Sequence, residues 1–132
     1  MTEKEFVEFV EKKADRFFIT AGLQINEEFY DLASFSLQQS LELTLRAILL
    51  ESAGDYPRTH ALKSLLRIII ETCGTKCSQS AKSLLEKYTF ELNMLEDAYT
   101  TSRYFDKTFD EDEVKKLNSV TELITIELRD VC

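Results

Sequence analysis

Apolar residues recur at helical spacing along most of this chain. Phe6, Phe9 and Val10, for example, are three or four positions apart, so an α-helix would place them on one face. Three glycines and one proline are the only strong helix breakers, which leaves few of the turns that many short strands would need. The pattern therefore predicts an all-α fold.

The first two helices are predicted from signals at their ends. Thr2 and Glu5 have the spacing of a capping box, in which each side chain satisfies a free backbone donor. We expect this helix to end near Gly22, because glycine readily adopts the left-handed conformation that closes helices. Asn26 is predicted to cap a long second helix, which should reach Gly54 and form the spine of a bundle.

Later helices are expected to begin at side chains that accept backbone hydrogen bonds, namely Thr59, Ser78 and Asp110. Gly74 should end the third helix, and the fourth should run unbroken to residue 104. Glu113 would complete a capping box with Asp110. The expected architecture is an antiparallel up-and-down bundle of four to five helices, with residues 1–132 forming a single domain.

Charge and cysteine content limit the possible classes of protein. The net charge is −8, and basic residues outnumber acidic ones only within residues 61–109, so only this region could attract a phosphate. No apolar run could span a bilayer, and the acidic N-terminus is unlike a signal peptide, so we expect a soluble cytoplasmic protein that does not enter a membrane.

Three sparse cysteines argue against a secreted disulfide framework. They also do not supply the four ligands of structural zinc, so neither a metal nor another cofactor is expected. Whether Cys73 or Cys77 forms a disulfide is left open by the sequence.

The segment "PRTHAL" contains the only proline and the only histidine of the chain, and it has two interpretations. In the first, Pro57, Thr59 and His60 simply start a helix, with His60 in its first turn. In the second, His60, Lys63 and Arg67 form one basic stripe at helical spacing, which binds phosphate where free backbone donors already favour an anion.

Three motifs of this sequence, taken together, resemble the HEPN domain (higher eukaryotes and prokaryotes nucleotide-binding). The long second helix contains "A-x-x-x-x-QQ-x-x-E-x-x-L-R-A", followed by "P-x-T-H-x-L-x-x-L" and, later, by "RY". The matching positions are Ala33, Gln38, Gln39, Glu42, Leu45, Arg46, Ala47, Pro57, Thr59, His60, Leu62, Leu65, Arg103 and Tyr104. The resemblance covers about residues 26–105.

The resemblance implies a helical bundle that usually pairs as a symmetric dimer. Many prokaryotic members are metal-independent endoribonucleases that act as toxins or defence proteins. Others work with a small nucleotidyltransferase as a two-component system of the toxin–antitoxin kind. A third group binds nucleotides, RNA or protein without catalysis.

In the ribonuclease members, an arginine is followed after four to six residues by a histidine. Arg103, followed by Tyr104, occupies the place of this arginine, but the corresponding histidine positions hold Thr108, Phe109 and Asp110. None of these residues can replace the histidine as a proton donor or acceptor near neutral pH. The missing histidine argues against ribonuclease activity and leaves Arg103 and Tyr104 as a remnant of the motif.

Arg103 could still bind a phosphate through a bidentate contact, which requires no proton transfer. Its alternative role is an ion pair with a carboxylate such as Asp106 or Glu96. We therefore expect a module that binds nucleotide or RNA phosphate through Arg103, with His60, Lys63 and Arg67 as a second surface, or that pairs with a nucleotidyltransferase. The alternatives are an endoribonuclease in which His60 or another residue replaces the missing histidine, and a purely structural interaction protein.

Overall fold

The protein is an assembly of α-helices. The computed structural model describes the backbone of residues 1–104 and 108–132, and the side chains of residues 1–100 and 108–132. Within these ranges it contains no strand and six helices, which are α1 (Glu3–Asn26), α2 (Tyr30–Ala53), α3 (Leu62–Thr72), α4 (Thr75–Lys87), α5 (Thr89–Tyr104) and α6 (Glu111–Val131). The all-helical prediction is confirmed, with six helices over these ranges where four or five were expected. None of the helices in the described ranges combines the length and apolar character needed to cross a membrane.

Helix α2 forms the centre of the bundle, as the sequence predicted. It contacts α1, α3, α5 and α6, and a helix with neighbours on all sides must be apolar around most of its circumference. Its leucines pack against apolar side chains of α3, α5 and α6. The largest fully buried side chains include Leu37, Leu41, Leu45, Leu49, Leu62, Leu65, Leu66, Ile69, Leu92, Leu95, Leu117 and Ile124.

Small polar residues of α2 form the contact with α1. The Ser40 hydroxyl donates to the Ala14 carbonyl oxygen at 2.9 Å, and the Ser36 hydroxyl donates to Gln24 Oε1 at 2.7 Å. Small side chains let two helices approach closely. These bonds also satisfy hydroxyl groups that would be costly to bury without partners.

The predicted boundary between the first two helices is wrong. Helix α1 continues through Gly22 to Asn26, so Gly22 does not end it and Asn26 does not cap α2. The chain turns at Glu28, which has a left-handed φ of 64°, and Phe29 precedes α2 without a side-chain cap. A glycine inside a helix costs only about 1 kcal/mol, which the packing of Ala21 beside it outweighs.

The single helix predicted between Ser78 and residue 104 is divided in two. Helix α4 begins three residues before Ser78, after Gly74, and ends at Tyr88, where α5 takes over. The Thr89 hydroxyl donates to the Leu85 carbonyl oxygen at this junction. A threonine that bonds to the preceding turn in this way often bends a helix.

Several helix ends agree with the sequence. Asp110 and Glu113 form the predicted capping box at α6, and α2 ends at Gly54 in the left-handed conformation. The Thr2 hydroxyl accepts from the Glu5 backbone N–H at 3.1 Å, as predicted. In place of the reciprocal backbone bond, the Thr2 hydroxyl donates to the Glu5 carboxylate.

The structure answers the question that the sequence left open about the cysteines. Cys77, in the first turn of α4, forms a disulfide with Cys132, which follows α6. Cys73 is a free cysteine at the end of α3. The disulfide therefore joins two helices that are far apart in the sequence.

Candidate functional site

A buried carboxylate organises the surface where α2, the segment 54–61 and α5 meet. The Glu42 side chain is 2% exposed. Its Oε1 accepts from Gln38 Nε2 and pairs with His60 Nδ1, both at 2.9 Å, and its Oε2 pairs with Arg46 Nη2 at 3.0 Å. Burying a carboxylate is costly unless charged and polar partners compensate it. The three partners supply that compensation.

These contacts fix the tautomer of His60. A carboxylate paired with an arginine is ionised, so it accepts hydrogen bonds and donates none. The Nδ1 atom of His60 therefore carries a proton and donates it to Glu42. The Nε2 atom lies on the opposite side of the imidazole ring, and 48% of the His60 side chain is exposed. The exposed edge of the ring can thus accept a proton, or donate one once it is charged.

Aromatic rings hold the imidazole from the side. The His60 and Tyr99 rings stack with centroids 4.1 Å apart and an angle of 19° between their planes. Phe35 stacks against the same tyrosine at 6.0 Å. The ring of His60 is therefore fixed both by a hydrogen bond to α2 and by a stacking contact with α5.

Arg46 stabilises the site from within. Its guanidinium lies 4.9 Å from the centre of the Tyr56 ring and donates to the Thr59 carbonyl oxygen at 3.4 Å, in addition to its bond with Glu42. With 18% of its side chain exposed, Arg46 is largely committed to protein partners. It therefore positions the segment before α3.

The predicted start of α3 is wrong, and these contacts explain why. Helix α3 begins at Leu62, so Thr59 does not cap it and His60 lies outside its first turn. The Thr59 hydroxyl instead accepts from the Ala61 backbone N–H. Because Gln38 binds the His60 carbonyl oxygen and α2 also binds the Thr59 carbonyl oxygen, these residues stay extended.

The proposed basic stripe is consequently not one helical face. Lys63 and Arg67 are four residues apart on α3, but His60 precedes the helix. The backbone N–H of Lys63 donates to Glu96 Oε1 of α5 at 2.9 Å, so a carboxylate already occupies one free donor of this helix start. Arg67 is exposed one turn further on.

The remnant of the ribonuclease motif lies at the end of α5. The backbone of this helix extends through Arg103 and Tyr104, but their side chains lie outside the described residues, as does the segment 105–107. Position 103 is four residues after Tyr99, so the two positions share one side of α5.

The positions of the missing histidine have different roles in the fold. Phe109 is buried in the core, and the Asp110 carboxylate accepts from the Glu113 backbone N–H at 2.8 Å as the cap of α6. Thr108 is exposed. Of these three positions, only 108 could take up a larger polar side chain without disturbing the core or the cap.

Sequence reasoning identified His60 but missed the cluster around it. Glu42 and Arg46 were noted as family positions, and Tyr99 was interpreted as a packing residue. A charged pair four residues apart in an otherwise apolar helix was the signal that could have revealed the buried ion pair. Over the described residues, no group of three histidine, cysteine or acidic side chains could hold a metal ion.

Comparisons with known proteins agree with this architecture. A protein-family model, the HEPN domain, matches residues 7–131. Among solved structures, TT1696 from Thermus thermophilus has a TM-score of 0.70 at 15% identity, with 96% of this chain and 98% of that chain covered, a likeness that concerns the fold. ST0689, an archaeal HEPN homologue, has a TM-score of 0.65 at 25% identity, with coverages of 94% and 95%. No curated protein matches significantly. Because the family model spans nearly the whole sequence, this chain belongs to the HEPN domain family.

Proposed function

We propose that this HEPN protein binds nucleotide or RNA phosphate at the surface around His60. One observation carries the proposal: the imidazole is held by the buried Glu42 carboxylate and by the Tyr99 ring, yet about half of its side chain remains exposed. Evolution of a merely packed histidine would not require a buried carboxylate to fix its ring, because burial of that charge is itself costly.

The chemistry of the site suits an anion. The Nε2 atom of a protonated His60 can donate to a phosphate oxygen, and a fixed donor loses less conformational freedom on binding than a mobile one. Lys63 and Arg67 on α3 would add positive potential beside it. Arg103, whose position on α5 shares a side with Tyr99, would provide a bidentate contact to the same ligand.

The wider functional setting follows from the family. We propose that residues 1–132 act as one domain, form a homodimer, and pair with a small nucleotidyltransferase in a cytoplasmic two-component system. ST0689 is described as an archaeal HEPN homologue, and a prokaryotic source for this chain would fit such a system. Support for this setting comes from family membership and not from a contact seen in the structure.

A metal-independent endoribonuclease is the second candidate, and the pair formed by Glu42 and His60 favours it. A carboxylate that holds Nδ1–H leaves Nε2 available as a general base or acid, which typically accelerates proton transfer steps by about 10²–10⁴-fold. His60 would then replace the histidine missing at positions 108–110. The two candidates differ in whether RNA is cleaved or only bound.

Binding and cleavage can be measured in one experiment. The purified protein is titrated with a labelled single-stranded RNA and, separately, with ATP, at low and moderate salt in the presence of a chelator. The variants are His60→Ala and, as a matched control, Arg58→Ala, which removes a basic side chain from the same segment where it is exposed. Thermal unfolding checks that both variants fold.

We expect saturable binding of at least one ligand, weakened about tenfold or more in His60→Ala because a charge-assisted hydrogen bond is lost. Arg58→Ala should change the dissociation constant by less than about threefold, since an exposed charge contributes little. RNA cleavage that disappears in His60→Ala would establish the second candidate instead. If neither ligand binds at low salt, the protein is an interaction module without a phosphate site.

A further inference from the structure

The three cysteines of the chain lie around one cavity. Cys77 and Cys132 form the disulfide, and Cys73 retains its thiol. All three line a cavity of about 240 Å³ together with Ser52. A free thiol and a disulfide that face the same space are the two reactants of thiol–disulfide exchange.

Hydroxyl groups surround the free thiol. Cys73 Sγ lies 3.2 Å from the Ser52 hydroxyl oxygen and 3.9 Å from the Thr72 hydroxyl oxygen. Both hydroxyls donate to backbone carbonyl oxygens one turn earlier, at 2.8 and 2.7 Å, so the thiol is the donor toward Ser52. After loss of the thiol proton, each hydroxyl can rotate and donate to the sulfur. The surroundings can therefore stabilise a thiolate at Cys73.

The two disulfide sulfurs are not equivalent. Cys77 is the third residue of α4 and is only 3% exposed, whereas Cys132 is exposed. The free backbone N–H groups and the dipole in the first turn of a helix favour a thiolate. Cys132 is therefore the accessible sulfur for attack, and Cys77 is the better leaving group.

We propose that Cys73, Cys77 and Cys132 form an internal thiol–disulfide exchange site. The Cys73 thiolate attacks Cys132 Sγ, the bond between Cys73 and Cys132 forms, and the bond between Cys77 and Cys132 breaks. Its electron pair leaves on Cys77 Sγ, which can take up the proton that Cys73 lost, so no external oxidant or reductant is consumed. The exchange moves the covalent anchor of α6 from the start of α4 to the end of α3.

Peptide mapping tests this proposal on the full chain. Air-oxidised protein is incubated at about pH 5 or about pH 8.5, since only the thiolate attacks a disulfide. The reaction is stopped with acid, free thiols are labelled with N-ethylmaleimide, and the protein is cleaved with trypsin under mildly acidic conditions. Cleavage after Lys76 and Arg129 separates the three cysteines into peptides 68–76, 77–82 and 130–132.

We expect the label on Cys77 as well as on Cys73, and linked peptides of both pairings, with more of the Cys73–Cys132 pair at the higher pH. Ser52→Ala should slow the appearance of this pair several-fold, because the thiolate loses a donor. Cys73→Ser, the control, should give only the Cys77–Cys132 pair. The proposal is overturned if the label stays on Cys73 alone at both pH values, if a Cys73–Cys77 pair forms instead, or if no Cys77–Cys132 disulfide forms on oxidation.

Discussion

Glu42 determines the candidate site at the level of single residues. It is the buried acceptor for three side chains, two of which can carry positive charge. Through His60 and Arg46 it holds the segment before α3, and through His60 it connects α2 with the Tyr99 ring. Removing such an acceptor leaves donors without partners, which costs more than the bonds themselves contributed.

Glu42→Ala should therefore lower the free energy of unfolding by about 2–4 kcal/mol, because it leaves a largely buried guanidinium uncompensated. Urea denaturation followed by circular dichroism measures the change. The matched control is Glu51→Ala, which removes an exposed glutamate from the same helix and should change the stability by no more than about 0.5 kcal/mol. Equal effects of the two substitutions would show that the buried ion pair does not form in solution.

Position 108 carries a second prediction at this scale. Thr108→His would restore the spacing of the ribonuclease motif after Arg103 at an exposed position. We expect metal-independent cleavage of RNA to appear or to rise by about 10²–10⁴-fold, the usual contribution of general acid–base catalysis. A labelled RNA incubated with a chelator reports it.

Two controls accompany Thr108→His. Adding Arg103→Ala should abolish the gained cleavage, and Thr100→His, at an exposed position on α5, should not produce any. If Thr108→His folds and remains inactive, Arg103 does not occupy the place of the catalytic arginine.

At the scale of the helices, ends that depend on neighbouring residues agree with the sequence, and ends that depend on distant residues do not. The α6 capping box and the glycine after α2 involve residues at most four positions apart. The start of α3 is set by α2 side chains from up to 22 residues earlier, and α1 passes a glycine because its helix packs on α2. Local patterns contain no information on those contacts.

The glycines of α1 and α2 provide a prediction with opposite signs. Gly54 has a left-handed φ of 77°, so Gly54→Ala should destabilise the protein by about 1 kcal/mol. Gly22 lies inside α1, and an added Cβ would meet no atom within 4 Å, so Gly22→Ala should stabilise it by about 0.5–1 kcal/mol. Thermal unfolding of the two variants compares them directly. A stabilising Gly54→Ala would contradict the conformation assigned to this helix end.

For the whole molecule, the disulfide is the covalent connection that sequence could not assign. It closes a loop with a sequence separation of 55 residues, which contains most of α4 and all of α5 and α6. In the chain-entropy model, a loop of this length stabilises the folded state by at most about 4 kcal/mol, because it restricts the unfolded chain.

Cys77→Ser should accordingly lower the free energy of unfolding by about 2–4 kcal/mol under oxidising conditions. Cys73→Ser, which removes only the free thiol, should change it by less than about 1 kcal/mol. Urea denaturation with and without a reductant measures both, and reduced wild-type protein should match Cys77→Ser. Stability that does not respond to the reductant would show that the disulfide does not form in solution.

The sequence by itself determined the helical class, the central role of α2, the capped start of α6 and the family. Those features follow from periodicity, from side chains a few residues apart and from motifs that remain in order along the chain. Only the tertiary structure decided which side chains meet Glu42, where α3 begins and which cysteines pair. Each of these contacts joins residues that are distant in the sequence, and their energy depends on burial, which exists only after the helices have packed.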